Sequence, residues 1–144
     1  MIDKHTIVLV DDDEDDRHIF QEGFIRAGCN GNFLQFESGK LMLDYLKQIS
    51  ADEYPAIILL DLNMPKMNGI EFLRLLREDK LLKDIRVFVM TTSSESADRD
   101  AAEQLGISGF IIKPLNYNDN TKRSDSMDAF VQFHLRKILA NETL

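Results

Sequence analysis

Several features common in secreted, membrane and nucleic-acid-binding chains are scarce in this sequence. Of its 144 residues only Cys29 is a cysteine, which excludes an internal disulfide and agrees with a reducing compartment. Its longest apolar runs, such as Ile57 to Leu60, fall far below the roughly 18 residues that span a bilayer, and the N-terminus shows no signal-peptide pattern. The net charge of -8 disfavours nucleic acid and anionic membranes as partners. We therefore expect a cytoplasmic protein whose partners are proteins and cations.

The motifs of several enzyme classes are absent as well. There is no glycine-rich phosphate loop, HExxH, CxxC or GxSxG, so the usual nucleotide, zinc and hydrolase classes lack support. A hydrophobic share of 44% and a charged share of 29% are ordinary values for a soluble globular chain. Because 144 residues is the length of one ordinary domain, we expect a single domain over residues 1–144.

What the sequence does contain is an alternation of short apolar runs with helix-length amphipathic stretches. This pattern is typical of an α/β fold in which helices cover both faces of a parallel sheet. The five predicted strands are Thr6 to Val10, Asn32 to Phe36, Ala56 to Leu60, Arg86 to Met90 and Gly109 to Ile112. The five predicted helices run from about Glu14 to Ala27, from after Ser38 to Ile49, from near Asn68, from after Ser94 to a stop at Gly106, and over Met127 to Ile138.

The spacing of apolar residues gives each of the five predicted helices a buried face, most regularly in the fifth. The third buries three apolar side chains and exposes four charged ones, which are Phe72, Leu73 and Leu76, and Arg74, Arg77, Glu78 and Lys80. The fourth turns Ala97, Ala101 and Leu105 inward, and Gly106 ends it.

Acidic residues follow two of the predicted strands directly. Asp11 to Asp16 come after the first strand, and although such a run is more often a solvated face, only Asp13 to Asp16 are explained by capping and charging the first helix. Asp11, Asp12 and Asp61 would instead meet at the carboxyl edge of the sheet, where α/β folds bind ligands. Because three close carboxylates repel one another, the arrangement calls for a hard divalent cation such as Mg²⁺.

The fourth and fifth strands end at the same edge with a hydroxyl and an ammonium group. Thr91 and Lys113 are each explained singly as a strand end and a surface lysine. Together with the three acids, however, they form a set that could bind phosphoryl oxygens.

Four separated motifs in this set resemble the receiver domain of two-component response regulators. They are Val-Asp-Asp at Val10 to Asp12, the segment Leu60 to Gly69, Thr91, and the dipeptide Lys113-Pro114. The resemblance covers almost the whole chain and implies a flavodoxin-like, doubly wound (βα)5 fold with strand order 2-1-3-4-5.

The resemblance also implies a role for each matching residue. Asp61 is the expected phosphoacceptor, and the expected metal ligands for Mg²⁺, or Mn²⁺ in its place, are Asp11, Asp12, Asp61 and the main-chain carbonyl of Asn63. The phosphoryl-binding and switch residues are Thr91, Lys113 and Phe110, the positions that tune the lifetime of the phosphorylated state are Asn63 and Ser93, and the peptide that matches the family's cis bond is Lys113-Pro114.

The partners implied by the resemblance are proteins of a phosphorelay. A sensor histidine kinase or phosphotransfer protein would donate the phosphoryl group. We expect no effector domain, so a switched surface of helix 4, strand 5 and helix 5 would signal to a downstream protein. The segments Leu43 to Leu46 and Met90 to Ser93 look like stand-alone receivers that accompany phytochrome-like kinases. A homodimer through the switched surface would fit the family, although the long Asn116 to Ser124 loop departs from it.

Three alternatives keep the same fold. A phosphatase with an aspartyl-phosphate intermediate would need a general acid two residues after Asp61, where this chain has Asn63. A flavin-binding module would need a phosphate-binding loop after the first strand, where six acids stand. A phosphorylation-independent interaction module remains open.

Overall fold

A five-stranded parallel sheet forms the centre of the chain. The structure, a computed structural model, describes residues 6–26, 32–62, 64, 69–91 and 96–112. The strands are β1 Thr6–Val10, β2 Asn32–Phe36, β3 Ile57–Asp61, β4 Arg86–Thr91 and β5 Gly109–Ile112, and the helices are α1 Glu14–Arg26, α2 Gly39–Leu46, α3 Gly69–Glu78 and α4 Ser96–Gln104, with a short 3₁₀ turn at Ala51–Glu53. The strand order β2-β1-β3-β4-β5 confirms the predicted doubly wound fold.

Most predicted boundaries match the observed ones within a residue or two, and one does not. The second helix ends at Leu46 rather than Ile49, because the chain turns at Lys47 and Ser50 then caps the 3₁₀ turn together with Glu53. The fifth helix, predicted from Met127 to Ile138, and the loop Asn116 to Ser124 lie outside the described residues. None of the helices within the described ranges combines the length and apolarity that a bilayer-spanning helix requires.

The sheet separates two hydrophobic clusters. The larger cluster packs α2, α3 and α4 on one face through residues such as Met42, Phe72 and Ala102. The smaller cluster packs α1 on the other face through Phe20 and Phe24. Successive strand residues alternate between the clusters, so Ile57 and Leu59 of β3 join the smaller one while Ile58 and Leu60 join the larger one. All five residues of β3 are buried, which identifies it as a central strand of the sheet.

The C-terminal end of α4 differs in part from its prediction. Gly106 follows the helix with a φ of 77°, the left-handed conformation that a helix stop requires, and this confirms its predicted role. The fully buried alanine, however, is Ala102, whereas Ala101 and Leu105 are only half-buried. The apolar face of the helix is therefore rotated toward Ala102.

Arg77 was predicted to be exposed on α3, and this prediction was wrong. Its guanidinium is half-buried and donates four hydrogen bonds to main-chain carbonyls. The acceptors are the carbonyls of Leu105 at 2.7 Å, Lys83 at 2.8 Å, Ile85 at 2.9 Å and Gly106 at 3.1 Å. Burial lowers the pKa of Arg77 from its usual value, and nearby Asp84 partly opposes that shift. Arg77 thus ties the end of α4 to the loop between α3 and β4.

Candidate functional site

Two neighbouring central strands deliver carboxylates to the same edge of the sheet. Because Val10 of β1 pairs with Leu60 of β3, the next residues, Asp11 and Asp61, stand side by side at the carboxyl ends of the strands. Asp11 is fully buried and Asp61 is 3% exposed, whereas Asp12 is exposed. One carboxylate oxygen from each of the three residues lies within 4.8 Å of the others. The predicted acidic cluster is therefore present.

Local hydrogen bonds fix the acidic loop after β1. The Asp13 amide donates to Asp11 Oδ1 at 2.9 Å, and the Asp11 amide donates to the carbonyl of Phe36 at 3.0 Å. Arg17 Nη1 donates to the carbonyl of Asp11 at 2.7 Å. These bonds join the turn to β2 and α1, and the amide of Asp13 holds the Asp11 carboxylate in position.

Asp13 caps α1, as its position in the sequence predicted. Its Oδ1 accepts hydrogen bonds from the amides of Asp15 at 2.9 Å and Asp16 at 3.3 Å. Both amides belong to the first turn of the helix, where they have no partner within the helix itself. The acidic run thus divides into residues of the site and residues that stabilise the helix.

The position of Asp61 depends on a close approach between β3 and α3. The amide of Gly69 donates to the carbonyl of Leu62 at 3.1 Å, which brings the start of α3 against the end of β3. A Cβ atom at Gly69 would lie 2.6 Å from both the Asp61 carbonyl oxygen and the Leu62 Cα. Only glycine fits there without movement of the backbone. The sequence contained this signal as the last residue of the Leu60 to Gly69 segment, but its steric role was not predicted.

The acidic cluster fits a divalent cation by its donor chemistry. Carboxylate oxygens are the ligands that Mg²⁺ prefers, and a few of them suffice because the ion keeps several waters. Burial of charged carboxylates is costly unless an opposite charge compensates them, and Asp11 and Asp61 are both buried. The exposed Asp12 leaves the cluster open to solvent on one side. The expected carbonyl ligand, Asn63, lies outside the described residues.

The remaining predicted residues divide between the described and the undescribed parts of the chain. Thr91 ends β4 and pairs with Ile112 of β5, and Asp61 pairs with Met90, so these strand ends share the edge that carries the acids. Lys113, Pro114 and Ser93 lie outside the described residues.

Phe110 lies on β5 and packs against the larger cluster. Its side chain is half-buried, and it pairs with Val89 of β4. Arg99 of α4 covers the ring, with Cζ at 4.0 Å from the ring centroid. No pattern in the sequence indicated Arg99, because the contact joins a helix to a strand that follows it.

Comparison with known proteins gives consistent matches over most of the chain. A family model, the response regulator receiver domain, matches residues 7–124. Response regulator Rcp1 of Synechocystis sp. is 31% identical over 128 residues, which cover 87% of this chain and 87% of that protein. The crystal structure of the Mn²⁺-bound form of Rcp1 has a TM-score of 0.76 at 30% identity, covering 90% of this chain and 93% of that one.

Two further solved structures are similar. A two-component response regulator from Legionella pneumophila has a TM-score of 0.71 at 37% identity, covering 90% of this chain and 98% of that one. The phosphorylated cyanobacterial phytochrome response regulator RcpA has a TM-score of 0.70 at 26% identity, covering 96% of this chain and 91% of that one.

Proposed function

This chain belongs to the response regulator receiver domain family of two-component systems, and from that premise we propose that it is a phosphorylation switch whose acceptor is Asp61. The observation that carries the proposal is the buried Asp61 carboxylate beside Asp11 and Asp12 at the carboxyl edge of the sheet. The whole chain, residues 1–144, would act as one receiver domain. In this reading the protein signals rather than turning over a substrate.

The proposed reaction is transfer of a phosphoryl group to a carboxylate oxygen of Asp61. The donor is a phosphohistidine of a sensor kinase or phosphotransfer protein, or a small acyl phosphate. The Asp61 oxygen forms a bond to phosphorus while the bond from phosphorus to the donor breaks. From a phosphohistidine the P–N bond breaks, and the imidazole leaves with the electron pair and takes a proton. From an acyl phosphate the P–O bond to the acyl group breaks, and a carboxylate leaves with the electron pair. The Lys113 ammonium balances charge on the phosphoryl oxygens.

The residues that would hold a cation are Asp11, Asp12, Asp61 and the carbonyl of Asn63. When bound, Mg²⁺, or Mn²⁺ as in the Rcp1 crystal structure, supplies positive charge beside the phosphoryl oxygens. The chain's own contribution is to orient the acceptor: Gly69 lets α3 approach the Asp61 carbonyl, and Arg17 holds the turn that carries Asp11. A preorganised acceptor does not have to be ordered again in each transfer.

The proposed output is a change at the surface formed by α4, β5 and the predicted fifth helix. A phosphoryl group on Asp61 offers oxygens to Thr91, and Phe110 turns inward as the two-state equilibrium shifts. Asn63 and Ser93 set how long that state lasts. The partner that binds this surface is a downstream protein or a histidine phosphotransfer protein, and the same surface would support a homodimer.

A phytochrome-like histidine kinase is the proposed donor. Support comes from the likeness to RcpA, which is a phytochrome response regulator, and from the segments Leu43 to Leu46 and Met90 to Ser93. A phosphotransfer profile against the sensor kinases of the host tests this directly. Transfer that is fastest from a kinase without a phytochrome-like sensor would contradict it.

Incubation with acetyl phosphate that carries radioactive phosphorus, in the presence of Mg²⁺, tests whether Asp61 is the acceptor. We expect the wild-type protein to be labelled and Asp61→Asn to remain unlabelled, because an amide oxygen is a poor nucleophile. Asp44→Asn, which changes an exposed aspartate of α2, is the matched control and should be labelled like the wild type. Equal labelling of Asp61→Asn and the wild type would refute the assignment, and sustained release of phosphate from a phosphomonoester would favour a phosphatase instead.

A further inference from the structure

The contact between Arg99 and Phe110 joins the helix and the strand of the proposed output surface. The Arg99 Cζ lies 4.0 Å from the centroid of the Phe110 ring, well within the distance at which a guanidinium is attracted to an aromatic face. Both side chains are half-buried, so the contact is neither fully desolvated nor fully open to water. Such a contact is weak enough to be lost when the protein changes between two conformations.

The helix that presents Arg99 is fixed at its far end. Arg77 donates hydrogen bonds to the carbonyls of Leu105 and Gly106 just beyond α4, and to Lys83 and Ile85 in the loop before β4. Arg99 is the fourth residue of α4, in the half of the helix that follows β4 and Thr91. Two hydrogen bonds from Arg77 therefore hold the C-terminal end of α4 against α3, and α4 contacts β5 through Arg99 nearer its N-terminal end.

We propose that Arg99 is a positioning residue that holds Phe110 against α4 and thereby favours the unphosphorylated arrangement. This inference rests on the proposed function, in which the ring turns inward when Asp61 carries a phosphoryl group. When the ring turns inward, the Arg99 guanidinium does not follow it. Burying a charged group in the apolar cluster beneath Phe110 costs more free energy than its contact with the ring contributes. The contact is consequently made in one state and lost in the other.

Linkage gives the size of the effect. A contact present in only one of two states shifts their equilibrium by the full strength of the contact. For a cation over an aromatic ring at a partly exposed site, the shift is about two- to fivefold. Loss of Arg99 should therefore make the phosphorylated arrangement more accessible, and any ligand that selects that arrangement should bind about two- to fivefold tighter.

Titration calorimetry with beryllofluoride and Mg²⁺, which together imitate a phosphoryl group on a carboxylate, tests the inference. Arg99→Met removes the cation and keeps the length of the side chain, Arg99→Lys keeps a cation, and Arg74→Met removes an exposed arginine from α3 as the control. In parallel, 4-fluorophenylalanine at position 110 reports the environment of the ring by ¹⁹F NMR. Circular dichroism confirms that each variant is folded.

We expect Arg99→Met to bind beryllofluoride about two- to fivefold tighter than the wild type, with Arg99→Lys in between and Arg74→Met unchanged. The ¹⁹F resonance of free Arg99→Met should move toward its position in the beryllofluoride complex. Equal or weaker binding by Arg99→Met, with normal binding by the wild type, would overturn the role of Arg99 alone. Equal binding by the wild type and Asp61→Asn would overturn the proposed function, and this inference with it.

Discussion

Replacement of Arg77 by methionine tests whether one side chain secures the end of α4. Methionine keeps the apolar stem of the arginine but donates no hydrogen bond, so four main-chain carbonyls lose a charged donor. The bonds to Leu105 and Ile85 are partly buried, whereas those to Lys83 and Gly106 are exposed and can be replaced by water. The loss of stability therefore depends mainly on the two partly buried bonds.

A hydrogen bond from a charged donor contributes about 1.5–3 kcal/mol, and allowance for partial exposure gives an expected loss of about 2–4 kcal/mol for Arg77→Met. That is a large part of a domain stability of about 5–15 kcal/mol. In urea unfolding followed by circular dichroism, the midpoint should fall by about 1–2 M. Because a guanidinium stays protonated, the difference from the wild type should be the same between about pH 6 and 9.

Two further variants separate geometry from charge at this position. Arg77→Lys keeps the charge but not the planar set of donors, so it should recover about half of the lost stability. Arg74→Met, on the same helix but exposed, should change the free energy of unfolding by no more than about 0.5 kcal/mol. A wild-type midpoint for Arg77→Lys, or equal losses for Arg77→Met and Arg74→Met, would refute the reasoning.

Three other predictions concern the acidic loop and its neighbours. Asp13→Ala should lose about 1 kcal/mol in urea unfolding because the cap to the amides of Asp15 and Asp16 is removed, while Asp13→Asn, which keeps the cap, should not; equal losses would mean that charge rather than capping matters. Gly69→Ala should lower the free energy of unfolding by about 1–3 kcal/mol and slow labelling of Asp61, because its Cβ would clash with the Asp61 carbonyl and Leu62, even though alanine normally favours a helix. A more stable variant would show that the backbone moves apart there at little cost. Mg²⁺ at tenfold excess over its dissociation constant should stabilise the wild type by about 1.4 kcal/mol in thermal unfolding but leave Asp11→Asn nearly unchanged, and equal stabilisation of both would place the ion elsewhere.

The strands were predictable because buried parallel strands appear in a sequence as short apolar runs. The bounds of β1, β2 and β5 agree with the prediction, and β3 is shifted by one residue, to Ile57–Asp61, because Asp61 still pairs with Met90. The acids of the site were predictable for a related reason: a charged residue directly after such a run must stand at the carboxyl edge. The end of α2 was not, since the competing turn depends on Ser50 and Glu53 beyond it.

Contacts between distant parts of the chain could not be predicted in the same way. Arg77 has the spacing of an exposed helical residue, and its acceptor Leu105 lies 28 residues further along the chain. The contact of Arg99 with Phe110 likewise depends on how α4 lies against β5. A long cationic side chain can reach several surroundings from the same helix position, so periodicity alone does not determine its partners.

The sheet divides the hydrophobic interior into two separate clusters, one on each face. Asp11 and Asp61 lie two residues after Leu9 and Leu59, so they lie on the α1 side of the sheet. Phe110 packs on the opposite side, with α2, α3 and α4. Substitutions around Phe20 would therefore alter the packing on the side of the proposed acceptor Asp61, and substitutions around Phe72 the packing on the side of Phe110. Under the proposed function, substitutions on the α1 side of the sheet should act mainly on phosphorylation of Asp61, and substitutions on the other side mainly on the response of Phe110.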